Sequence, residues 1–129
     1  MRSVLVLLAG LLVGALAAFS AANALRQRNA WPRGVMAVMQ HHLGELRRLQ
    51  RAGSCQASAT TPHWQRLAQI GADISPSHAD FAPDYHEQAR RFVDLAGGHA
   101  ATPPADCKAL DTPLQQVTEA CQNCHRDYR

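Results

Sequence analysis

An all-α fold, laid out as an up-down-up-down bundle of four helices, is what the sequence predicts. Three observations carry it. Apolar residues recur at three- and four-residue steps in four separate stretches; Ala and Leu dominate while β-branched residues are scarce; and Pro, Gly and Ser/Thr-rich breaks punctuate the stretches. With 129 residues the chain supports one small core and is too short for a multidomain enzyme. Thirteen Lys and Arg against ten Asp and Glu give a net charge of +3, too weak a field for an electrostatic nucleic-acid binder.

Arg2 precedes an apolar run from Val4 to Ala22 that only Ser20 interrupts, and Ser20-Ala21-Ala22 and Ala22-Asn23-Ala24 offer cleavage sites of the A-x-A kind. Residues 1–22 read as a secretory leader or, left uncleaved, as an anchor just long enough to span a bilayer. Either way residues 23–129, one helical domain, lie in the periplasm, soluble or held at the inner membrane, where disulfides persist.

Helix one is expected from Pro32 to Ala52, with Val35, Met36, Val38, Met39, Leu43, Leu46 and Leu49 on one broad stripe. Pro32 suits a first helical position, and Asn29 or Asn23 would cap an earlier start. Arg47, Arg48 and Arg51 complement the carbonyl end of the helix dipole, and Gly53 follows as the C′ residue. A second helix runs from Pro62 to about Ile74, capped by Thr61, with Trp64, Leu67, Ala68 and Ile70/Gly71 inward; Ser75-Pro76-Ser77 breaks it. The third spans Asp84 to Ala96 with Tyr85, Ala89, Phe92, Val93 and Ala96 inward, and Gly97-Gly98 stops it. Pro103-Pro104 opens the last segment, Asp106 to Tyr128, where Leu110, Leu114, Val117, Ala120/Cys121 and Cys124 face inward and Pro113 predicts a kink or a restart at Asp111/Thr112.

The chemistry is concentrated in Cys121-Gln122-Asn123-Cys124-His125, the C-x-x-C-H signature of covalent c-type haem attachment. Residues three apart on a helix share a face, so both thiols reach the vinyl groups on one porphyrin edge, and His125 turns its imidazole onto the iron as proximal ligand. The reading is one covalent haem c. A zinc site would have to recruit Cys55, Cys107 and scattered histidines that lack paired spacing. A thioredoxin-like dithiol would need a preceding strand. No G-x-S-x-G, P-loop or paired-carboxylate pattern occurs, so no hydrolase is read, and the chain is expected not to be an enzyme.

The attachment motif lies near the C-terminus of a four-helix chain and is followed by His125-Arg126-Asp127-Tyr128-Arg129, a C-H-x-x-Y-R ending. In these residues the sequence resembles the class II c-type cytochromes, which include cytochrome c-prime and its low-spin, methionine-ligated relatives. Met39-Gln40-His41-His42-Leu43-Gly44 is similar to the stretch that follows that family's distal haem position, which places Met36 at the distal position. The resemblance also implies that Arg129 lies beside the imidazole or pairs with a haem propionate. The short middle of the chain, Pro32, Pro113 and the extra Cys55 and Cys107 depart from the family pattern.

Antiparallel neighbours set the start of helix one beside the end of helix four, so Met36 and His125 face one another at similar height. With the resemblance placing it at the distal position, Met36 is expected as sixth iron ligand, with Met39 as the alternative; His42, nearly two turns further on, would give bis-His ligation. At the opposite end of the same bundle Cys55 and Cys107 can meet, and a disulfide between them is expected. His41, His63, His78, His86 and His99 read as solvated or capping residues, and Trp31 and Trp64 as fillers of the core or haem edge. Two functions follow. A six-coordinate haem would pass single electrons between exported redox partner proteins; a five-coordinate one would sense or scavenge a small gas such as NO or CO, as the cytochrome c-prime resemblance implies. A homodimer through helix one stays open, and membrane contact is expected only if the leader is retained.

Overall fold

The computed structural model describes residues 2–28 and 30–128; Asn29, weighed above as a cap, lies outside them. Every regular element among these residues is a helix: α1 (Arg2–Arg28), α2 (Ala30–Arg51), α3 (Ala57–Gly71), the single turn α4 (Ile74–Ser77), α5 (Pro83–Ala101) and α6 (Asp111–Asp127). The fold class is all-α. Two units divide after Arg33. In the first, α1 exposes Val4, Leu7, Leu11, Leu16 and Phe19, and its stretch Arg2–Gln27 is long and apolar enough to cross a membrane, a property that leaders near an N-terminus share.

In the second unit α2, α3, α5 and α6 contribute to one core. From α2 come Val35, Met39, Leu43 and Leu46; from α3 Trp64 and Leu67; from α5 Tyr85, Ala89, Phe92 and Ala96; from α6 Leu114 and Val117. Each set follows the three- and four-residue steps of the sequence because one face of a helix is all that can be hidden. Val38 departs from the expected stripe: it is 39% exposed, since its position falls outside the arc of the helix that Val35, Met39, Leu43 and Leu46 occupy. Trp31, expected in the core or at a haem edge, is 53% exposed.

α2 ends as its residues dictate. The Ser54 amide donates to the Leu49 carbonyl at 2.9 Å and the Gly53 amide to that of Gln50 at 3.1 Å, with Gly53 at φ 69°. This is a Schellman closure, and its left-handed position favours glycine. The second helix begins earlier than expected, at Ala57, with Pro62 inside it. The buried row Thr60, Trp64, Leu67 and Gly71 is continuous, and its burial outweighs the one backbone hydrogen bond that Pro62 cannot make. The helix ends at Gly71, short of the expected Ile74, and Ser75-Pro76-Ser77, expected to break it, lies in the separate turn α4. α5 likewise runs through Gly97-Gly98 to Ala101, where the Thr102 amide donates to the Gly98 carbonyl at 2.9 Å. Ala96 is fully buried just before the glycines and the His99 ring packs tilted against Trp64, centroids 5.0 Å apart, just after them, so packing on both sides carries the helix across. α6 starts at Asp111, which places Pro113 in a first turn whose amides have no intrahelical acceptor.

The backbones of α3 and α5 pack most closely, and α6 and α4 also rest on α5. α2 stands further off and is held by its side chains. Its end is fastened to the start of α6: Gln50 donates to Asp111, and just beyond, Cys55 and Cys107 come to disulfide distance, S–S 1.99 Å, across 52 residues of sequence. Arg47 Nη2 donates to Thr118 Oγ1 of α6 at 2.8 Å. The other ends of α2 and α6 share a cavity.

Candidate functional site

That cavity measures about 650 Å³ and lies between α2, α5 and α6, with Leu67 of α3 and Ile74 of α4 at its base. Cys121, Cys124 and His125 line it from α6, on successive turns of one helix face, as the three-residue spacing requires. Met36 and Met39 line it from α2, again three residues apart. Residues separated by more than eighty positions in sequence thus share one site. Met39 is buried and Met36 half-buried.

The walls are mainly apolar, with Leu43, Leu67, Ile74 and Phe92, and the polar contributors are Gln40, Gln88, Gln122, Thr118, Arg47 and Arg126. Among the described residues no carboxylate lines it. The donor set and walls suit a flat apolar macrocycle that carries its own acid groups: two thiols and an imidazole on one side, two thioethers on the other, and cations without competing anions. The volume falls within the roughly 300–1,000 Å³ typical of cofactor sites.

Burial pushes the Cys121 thiol up from its ordinary range, helped by neighbouring Cys124 and opposed by Arg47. Burial also raises Cys124, with a further contribution from Asp127. Both sulfurs are therefore protonated at neutral pH and are poor thiolates, the opposite of what a dithiol oxidoreductase needs. The end of α6 is clamped. The Tyr128 hydroxyl donates to Asp84 Oδ2 at the start of α5, its ring sits 5.1 Å from that of Tyr85, and its amide donates to the Cys124 carbonyl at 3.0 Å. The Asp84 carboxylate holds Tyr128 as a donor and pushes its pKa up to about 12. Tyr85 in turn donates to the Ile74 carbonyl at 3.0 Å, so the end of α6 is fixed to α4 and α5 just past His125.

Several sequence-derived assignments fall elsewhere. Arg129 lies outside the described residues. His42, weighed as an iron ligand, does not line the cavity: it turns toward α3 and meets His63. His86 and His78 hydrogen-bond to Ser75 and Tyr85, and His99 is half-buried against Trp64. Arg47, expected as a helix-end charge, faces the cavity. The missed signal is its spacing, four residues after Leu43 on the same stripe as Met36 and Gln40. No family model, curated protein or solved structure matches the chain.

Proposed function

We propose that the chain is an exported, periplasmic monohaem c-type cytochrome of the class II kind, a four-helix up-down-up-down bundle that carries single electrons between redox partner proteins. The observation that carries this reading is the common cavity of Cys121, Cys124 and His125 on α6 and Met36 and Met39 on α2. Cys121 and Cys124 would hold a haem c through thioethers, His125 through its imidazole and Met36 through its thioether sulfur, with Met39 packed beside it. Such a group would supply a one-electron couple, and ligation by histidine and methionine would raise its potential. The chain's own residues do the rest. Leu43, Leu67, Ile74 and Phe92 give the site apolar walls, and Arg47 and Arg126 give it a positive field that favours an added electron. The Tyr128–Asp84 bond fixes the helix end that presents His125.

Absorption spectra of the pure protein in both redox states test the assignment. Sharp low-spin bands that Met36→Ala abolishes and Met39→Ala keeps are expected. Because Met36 is only half-buried, a second reading has a structural basis: with Met36 turned aside the site takes a small gas. A high-spin spectrum with immediate CO binding in the unmodified protein replaces the electron carrier with that gas-binding cytochrome.

A further inference from the structure

Away from the cavity, two histidines from different helices meet. Nδ1 of His42 on α2 lies 3.0 Å from Nδ1 of His63 on α3, and the ring centroids are 5.3 Å apart. That combination is what two imidazoles meeting end on produce. One donates and the other accepts along the line between them, whereas a chelating pair would turn both lone pairs toward a third point. Among the described residues no group of three metal-binding side chains occurs. The geometry is that of a hydrogen-bonded pair.

The hydrogen bond needs one nitrogen without a proton. The neighbours disfavour charging both rings. On α2, His41 lies 5.1 Å from His42 ring to ring, and Arg48 adds positive charge; on α3, Arg66 adds more. The one opposing carboxylate, Glu45, is engaged by Arg48 at 2.7 Å. Burial, the largest cause for each, holds both imidazoles below their ordinary range, with Glu45 opposing it at both.

Position gives the pair its consequence. Side-chain hydrogen bonds from α2 to the other helices, among the described residues, run from His42 to His63, Arg47 to Thr118 and Gln50 to Asp111. The last two, with the Cys55–Cys107 bridge, gather at the C-terminal end of α2. The histidine pair is the tie nearest Met36 and Met39, one turn from the second of them. We propose that the His42–His63 pair is a proton-operated latch: intact, it holds the α2 wall of the cavity against α3, and when both rings are charged their repulsion frees the segment carrying Met36 and Met39 and opens the cavity to a small diatomic ligand. What the opened wall exposes rests on the haem reading; the latch itself does not.

The test uses the purified full chain at about pH 8 and about pH 5. Hydrogen exchange over residues 34–42, corrected for intrinsic rates, reports the segment, and CO association with the ferrous form reports the cavity. Protection is expected to fall, and CO association to rise, by about tenfold on acidification. His63→Gln and His42→Gln, which keep a hydrogen-bonding side chain and cannot charge, should abolish both responses. Unchanged protection in the unmodified protein, or the same acid response in both variants, overturns the latch. Absence of covalent haem overturns the proposed function while the exchange measurement still decides the latch.

Discussion

Gly71 of α3 and Phe92 of α5 approach so closely that a β-carbon at position 71 would lie 2.9 Å from ring carbons Cδ1 and Cε1 of Phe92. The missing side chain is what lets the two helices pack tightly, and Phe92 carries that contact on to the cavity it lines. Gly71→Ala gains about 1 kcal/mol in helix propensity but overpacks a buried ring, a cost of roughly 1–3 kcal/mol. A net loss of about 1 kcal/mol is expected in urea unfolding, with Phe92→Leu in the same chain recovering part of it.

The bridge between Cys55 and Cys107 closes a loop with a sequence separation of 52 at the end of the molecule away from Cys121 and Cys124. Its removal by Cys55→Ala with Cys107→Ala should cost roughly 2–4 kcal/mol through the freed unfolded chain. Thermal melting of the double variant checks the magnitude. Alkylation of the denatured, unreduced protein should label neither cysteine, and labelling of both would show that the bridge does not form.

Acid should weaken the fold before its carboxylates titrate. His42, His63 and His99 each have a folded-state pKa below the ordinary imidazole value, mainly through burial. The unfolded chain then binds more protons, so their contribution is complete above the unfolded pKa of about 6.5 and is lost as the pH falls through the folded values. Urea midpoints measured from about pH 8 downward should decline first in the imidazole range. His99→Gln should remove part of that decline and leave the part due to His42 and His63.

Much of this fold was legible because the burial pattern is simple. Val35, Met39, Leu43 and Leu46 announce one helix face, Leu114 and Val117 another, and Gly53 marks a stop that its positive φ requires. The errors share a cause. Pro62 and Gly97-Gly98 read locally as boundaries, but Thr60 before the proline is fully buried and His99 after the glycines packs on Trp64, and tertiary packing outweighed the local preference. At the cavity Cys121, Cys124 and His125 could be singled out because C-x-x-C-H restricts their chemistry, and Met36 because of the family resemblance; that they line one cavity is what the structure adds. Arg47 and His42 could not be placed, because a stripe shows which face is inward and not which partner each inward residue meets. The His42–His63 contact joins positions 21 apart on separate helices, and nothing in either local sequence encodes it.

The intact mass of the chain under denaturing conditions, after expression in a host that matures c-type cytochromes, bears most directly on the haem assignment. One haem added to the polypeptide is expected, with the link lost or weakened in Cys124→Ala and in Cys121→Ala. A polypeptide mass without haem would contradict the assignment of Cys121, Cys124 and His125, and with it the proposed function.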